Sequence, residues 1–394
     1  MKKIINHPIF LAGFRPLFPL AMIAGILFPF LWGLIFSGNL SWFNNSAEGA
    51  LNPLAWHAHE MLYGFGWAVL GGFLLTASKN WVKIRGIHGG PLLLISIFWI
   101  AERILILMAA TFGGTSSLLW ILLMNVYMVS VSVYVLSSLL KYRKADSYQD
   151  NYFFYLILIL FLISKNMLLS SEHYKLGIDL SIGLFRLAFA VMFERTLTQF
   201  MKNTESIDLF RHPYLDNAIK ILLFISIFYP LFPPTLGALI LALAAALLFM
   251  RWLLWKPFIG FKKFSNATMY VGYFGLILHL VFQSLYQMGF VVGTATTALH
   301  TFTLLCMGIV IPSMLIRICQ GHTGRKPVFI TQDKLAIGSM LVAAIFRLVF
   351  PPLYPQQYAL WILISAILWS LCFLLIAIRL IPFCFQVRID GKEH

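Results

Sequence analysis

Positive charge alternates along this chain in a way that only a membrane imposes. Twelve apolar segments punctuate it, near residues 17–38, 58–78, 91–110, 117–140, 151–170, 176–199, 216–232, 234–256, 267–290, 296–318, 334–350 and 357–381. Runs of about 17–25 apolar residues are what it takes to cross a hydrocarbon core of roughly 30 Å. Of the 29 Lys and Arg residues, 24 fall in the N-terminus, the even-numbered loops and the C-terminus. The odd-numbered loops hold one, Lys175, and the last four (Arg103, Lys165, Arg186, Arg347) lie inside apolar segments. Because cytoplasmic loops retain Lys and Arg, this asymmetry predicts an even number of spans with both termini in the cytoplasm. The expected fold is an all-α, polytopic integral membrane helix bundle of about 12 transmembrane helices.

Composition agrees, with 60% hydrophobic and 11% charged residues and a mean hydropathy of +0.85. The net charge of +15 is absorbed by the orientation signal, so it argues for a lipid bilayer as partner and not for nucleic acid. Residues 1–394 read as a single integral membrane domain: six spans over 17–199, a central loop at 200–215, and six spans over 216–381. No residue-level repeat relates the halves. Lys2 and Lys3 before an apolar run resemble a signal peptide. The intervening Arg15 and the length of the run from Leu17 to Phe36 predict a retained first helix instead. Cys306, Cys319, Cys372 and Cys384 have no CxxC spacing, so neither a disulfide nor a zinc site is expected.

Ionisable side chains inside a membrane are costly and mark candidate sites. The topology sets their depth. Arg103, Arg186 and His279 fall near mid-membrane, while Lys165, Arg347, His300 and the start of the second span fall toward the outside. Each arginine could instead be structural glue to a carboxylate or a helix-end carbonyl, and Lys165 could snorkel to the interface. Glu102 and Arg103 are adjacent, so they should point to different faces and not pair. His88 and His212 are loop residues and His394 is terminal, so all three are expected to be inert.

His57-Ala58-His59-Glu60-Met61 is the densest chemical cluster. In a helix His57 and His59 diverge by roughly 200° and cannot chelate one metal as an i,i+4 pair would. His57 and Met61, one turn apart, place an imidazole beside a thioether, donors that suit copper, above the small residues Gly64, Ala68 and Gly71. The bland alternative is a capping histidine beside Trp56, with Glu60 favourable in the first turn. A second stripe, Gly272, Gly275, His279, Gln283 and Tyr286, suits an axial haem histidine, or else an interhelical hydrogen bond. His300 has Thr296, Thr297 and Thr303 on its side to orient the ring. Arg103, Arg186 and Arg347 would suit haem propionates. There is no P-loop, GxGxxG or HExxH, and no serine-nucleophile elbow.

Several segments together resemble the NnrS family, bacterial membrane proteins linked to nitric oxide metabolism and resistance to nitrosative stress. These are Phe14-Arg15-Pro16, Trp56-His57-Ala58-His59-Glu60-Met61, Tyr63-Gly64-Phe65, Gly72-Phe73-Leu74-Leu75-Thr76-Ala77 with Asn80-Trp81, and Arg103. Asn166, Arg195, Gly272-Tyr273 before His279, Leu299-His300-Thr301, Gly321-His322-Thr323-Gly324-Arg325 and Arg347 with Pro351 follow in order. The chain departs from the family at Phe193-Glu194-Arg195-Thr196, where a Gly-Arg-Ile-Pro-like turn is usual. The resemblance implies haem b and copper as cofactors, nitric oxide or a related small molecule as ligand, an NO-related oxidoreductase if the protein is an enzyme, and the bacterial inner membrane as location. It adds His322 to the candidate metal residues His57, His59, Met61, His279 and His300, with Glu60 as the candidate acid. The competing reading is a secondary transporter with twelve spans and no metal. A haem–copper reductase subunit is disfavoured, because no adjacent His-His pair is present.

Overall fold

The computed structural model describes residues 6–41, 43, 51–113, 117–290, 292–294 and 296–391. Lys2, Lys3, Lys392 and His394 lie outside the described residues. Every expected apolar segment forms a helix, and among the described residues there is no strand. In chain order these are α1 (Phe14–Phe36), α2 (Pro53–Trp81), α3 (Gly90–Phe112), α4 (Leu118–Lys141), α5 (Phe153–Leu169) and α6 (Tyr174–Glu205). Then come α7 (Pro213–Leu231), α8 (Pro234–Leu254), α9 (Phe264–Gln287), α10 (Thr297–His322), α11 (Thr331–Leu353) and α12 (Pro355–Phe385). Eleven are long and apolar enough to span a bilayer; α5 has 17 residues, at the short end of the range. The chain is therefore a multi-pass membrane protein. Large apolar side chains such as Leu118, Leu122, Val133 and Leu239 are exposed along the helices, as a lipid-facing surface requires.

Local signals start the helices. Asn52 accepts a hydrogen bond from Ala55 N at 2.8 Å, and Pro53 opens α2 with a residue that needs no amide partner. Ser117 caps α4 in the same way through Trp120 N. Two helices then depart from regular winding: Glu60–Gly66 in α2 and Thr301–Met307 in α10 are seven-residue π-helical segments. Each begins directly after a histidine, His59 or His300, and each is followed by a 15-residue α-helical stretch. The next helix in each case carries a buried or nearly buried arginine, Arg103 on α3 and Arg347 on α11.

Backbone packing divides the chain into two units. One contains Met1–Ile178, Leu315–Val328 and Phe373–His394; the other contains Asp179–Met314 and Phe329–Cys372. In the first unit α1 lies on α2, where Gly72 faces Phe18 and Leu17 at a spacing that leaves no room for a Cβ. Tyr127 of α4 donates from its hydroxyl to Trp67 O at 3.2 Å, over Gly71. In the second unit α9 meets the π-segment of α10. A Cβ on Gly272 would fall 2.1 Å from Val310 Cγ2, and one on Gly275 would fall 2.7 Å from Leu305 Cβ.

Candidate functional site

The first unit buries five ionisable side chains together. His59 and Glu60 come from α2, Glu102 and Arg103 from α3, and Lys165 from α5. Glu102 Oε1 is the hub: Lys165 Nζ lies at 2.5 Å, Arg103 Nη2 at 2.6 Å and His59 Nε2 at 3.6 Å. Glu60 reaches His59 Nδ1 with Oε1 at 3.0 Å and Arg103 Nε with Oε2 at 3.3 Å. Lys165 Nζ also donates to Met124 O of α4. His59, Glu60, Glu102 and Lys165 are at most 1% exposed. Two carboxylates against two cations leave the group neutral, the condition under which such charges can be buried.

Local winding makes this possible. The π-turn begins at Glu60 and brings Glu60 and Gly64 to the same place: a Cβ on Gly64 would stand 2.7 Å from Arg103 Nη1 and 2.9 Å from Glu60 Oε2. Trp99, one turn before Arg103, donates to Gly64 O at 3.0 Å and lies under the guanidinium at 5.2 Å. The pairing of Glu102 with Arg103 corrects the expectation drawn from their adjacency. Successive helix positions diverge, but the long arginine side chain curls back to its neighbour's carboxylate. Lys165 does not snorkel; it points inward to Glu102. His59 Nε2, Glu60 Oε2 and Glu102 Oε2 are buried without a hydrogen-bond partner. The cluster therefore retains capacity to take up a proton or a small polar ligand.

His57 does not join it. Its ring stacks on Trp32 of α1, with centroids 4.3 Å apart and planes 11° from parallel, while Met61 is half-buried within the π-turn. His57, His59 and Met61 thus do not fit as one copper-binding set: the two imidazoles are committed to different neighbours. Among the described residues, no three or more His, Cys, Asp or Glu side chains are grouped to hold a metal ion.

In the second unit His279 is 1% exposed and engaged at both ring nitrogens, Nδ1 to Ala298 O at 2.7 Å and Nε2 to Arg186 Nη1 at 3.4 Å. The carbonyl requires Nδ1 to donate, so Nε2 accepts from the guanidinium. Arg186 also donates to Ser226 O at 2.8 Å. Gly272 and Gly275 make room for α10 and not for a macrocycle. His279 therefore does not fit an axial haem ligand in this arrangement. His300 differs: Nδ1 meets Thr296 O at 2.9 Å, and Thr296 Oγ1 accepts from Arg347 Nη2 at 3.0 Å. Arg347 is 8% exposed, and its Nη1 is buried without a hydrogen-bond partner. That donor set has the chemistry a haem uses: an imidazole oriented through Nδ1, beside a guanidinium that also meets Thr296 and Tyr358. His322, at the end of α10, packs against Phe14 with ring centroids 5.5 Å apart, in the first unit.

The motif residues thus resolve into separate groups: His59, Glu60 and Arg103 in one unit, His279 with Arg186 and His300 with Arg347 in the other. Sequence reasoning did not select Glu102 or place Lys165 in a site. The available signal was their opposite charge within two predicted spans. No curated protein matches the chain. The family model described as NnrS protein matches residues 8–388, nearly the whole length. The chain therefore belongs to the NnrS family, membrane proteins linked to nitric oxide.

Proposed function

We propose that the protein resides in the bacterial inner membrane and acts on nitric oxide or protects iron against nitrosylation. In this reading the His59–Glu60–Glu102–Arg103–Lys165 cluster is its proton-handling centre. The observation that carries it is the convergence of three protonated or protonatable nitrogens on Glu102 Oε1, buried among membrane-crossing helices. Charged groups inside a membrane are retained for function more readily than for stability. Glu60 is the acid: Oε1 faces the His59 ring, and Oε2 faces Arg103 while keeping unused hydrogen-bonding capacity. Arg103 and Lys165 hold the two carboxylates in place, and His59 stands between them to pass a proton from one to the other.

Haem b would be held by His300, with Arg347 as the propionate partner. When bound, it would supply a redox-active iron with a coordination position open to nitric oxide. The chain's own part is to orient the His300 ring through Thr296 O and to keep Arg347 beside it through Thr296 Oγ1. No step is assigned to copper at His57, His59 and Met61, because the His57 ring stacks on Trp32 while His59 faces Glu60. The transporter reading remains the alternative, since a neutral buried ion cluster also suits a carrier.

Protein purified from haem-replete cells should show a Soret band that His300→Ala removes and His279→Ala retains. Glu60→Gln should keep that band and lose most protection of cells against a nitric oxide donor. Colourless wild-type protein would defeat the haem assignment. Full protection by Glu60→Gln would defeat the proton-handling role.

A further inference from the structure

Arg15 near the start of α1, Lys79 near the end of α2, residues 321–325 at the end of α10 and Arg388 after α12 meet at one end of the first unit. Hydrogen bonds fasten them together. Arg15 Nη1 donates to the carbonyl oxygens of Cys384 at 2.8 Å and Gln386 at 2.6 Å, and Gln386 Oε1 accepts from Arg325 Nη2 at 2.5 Å. Arg388 Nη1 donates to His322 O at 3.2 Å, and Ile389 N donates to Thr323 O at 3.2 Å. Gly324, at φ +81°, lets the chain pass so close to Asp390 that a Cβ there would stand 2.8 Å from Asp390 Cγ. Lys79 lies in the field of Arg388 and His322, and its stem rests against Gly86, where a Cβ would fall 3.1 Å from Lys79 Cδ.

Charge in this group is unbalanced. Among the described residues, the carboxylate brought to the four cations is Asp390, and Arg388 holds it through contacts of 2.9 and 2.6 Å. Four cations against one carboxylate leave a net positive charge, whereas the cluster around Glu102 is neutral. Arg15 is 0% exposed, and Lys79 and Arg325 are half-buried, so the buried guanidinium forms the floor and the other two the rim. Like charges held together and partly out of water cost free energy that an anion offsets by joining them.

We propose that Lys79, Arg325 and Arg388, with Arg15 behind them, bind a phosphate group. Phosphate oxygens accept paired N–H donors from a guanidinium and a point contact from an ammonium. The same positive charge repels a metal cation. The charge asymmetry of the chain predicts that the N-terminus, the loops after α2 and α10 and the C-terminus lie on the cytoplasmic side. A phosphate group reaches that side on an anionic lipid of the cytoplasmic leaflet or as a free anion. This inference rests neither on the nitric oxide reading nor on haem at His300.

The full-length protein, delipidated in a neutral detergent, should be titrated at constant ionic strength with inorganic phosphate and, separately, with phosphatidylglycerol and phosphatidylcholine in mixed micelles. Saturable binding of inorganic phosphate supports the site and assigns it a free anion. Saturable binding of phosphatidylglycerol, with phosphatidylcholine much weaker, supports it and assigns a lipid headgroup. The bound ligand should shield Lys79 of the unmutated protein from acetylation, while Lys262 in the second unit stays reactive. This arm does not depend on any variant folding. Lys79→Gln and Arg325→Gln should each weaken binding about tenfold, Lys79→Arg should retain most of it, and Lys262→Gln should change nothing. Absence of saturable binding by both ligands would overturn the proposal. So would undiminished acetylation of Lys79 at saturation, or wild-type affinity in well-folded Lys79→Gln/Arg325→Gln protein.

Discussion

Glu102 shows how much a single buried carboxylate can organise. Its Oε1 holds Lys165 at 2.5 Å and Arg103 at 2.6 Å, and no water replaces a lost partner cheaply at such a position. Lys165→Met should therefore destabilise the protein by about 3–5 kcal/mol, because it leaves a carboxylate short of a cation. Glu102→Gln should cost a similar amount by stranding Lys165. The double variant Glu102→Gln/Lys165→Met removes both charges and should recover much of that loss. Thermal unfolding in detergent reads all three; additive losses would show that the pair is not coupled. At this scale the sequence exposed Glu60, His59 and Arg103, since charge inside an apolar span stands out. It did not expose their pairings. Whether Arg103 turns to its neighbour Glu102 or away depends on side-chain torsions and on what α2 and α5 bring alongside.

The elements that shape the sites are the π-turns of α2 and α10. Their sequences, Glu60–Gly66 and Thr301–Met307, read as ordinary helix, because the apolar pattern that identifies a span is indifferent to one extra residue in a turn. A π-turn leaves an i→i−4 bond unmade and is sustained by packing around it, so it belongs to tertiary structure. The glycines of α9 were legible as a stripe but not in their purpose. Small residues at helical spacing suit a macrocycle or another helix equally, and here Val310 and Leu305 fill the space. Gly272→Ala should accordingly cost about 1–3 kcal/mol through overpacking. Combining it with Val310→Ala should restore most of that stability. If Gly272→Ala is as stable as the wild type, the close approach of α9 and α10 is not what Gly272 provides.

For the whole molecule, the charge asymmetry predicts that Lys144 and Gly293 lie on opposite sides of the membrane. Alkaline phosphatase fused after Gly293 should be active and inactive after Lys144, and a green fluorescent reporter should show the reverse. Matching behaviour at both positions would overturn the topology. The sequence by itself determined that this is a helical, multi-pass membrane protein of the NnrS family, and roughly where its helices begin and end. Those properties follow from hydropathy and charge, which act residue by residue against a bilayer of fixed thickness. Only the tertiary structure decided which intramembrane groups meet. It separated His57 from His59, tied Glu102 to both Arg103 and Lys165, closed both nitrogens of His279, and set Cys319 against Cys384 across 65 residues of chain. Contacts of a few ångströms between distant helices are fixed by packing and helix rotation, and neither is written in the spacing of residues along one span.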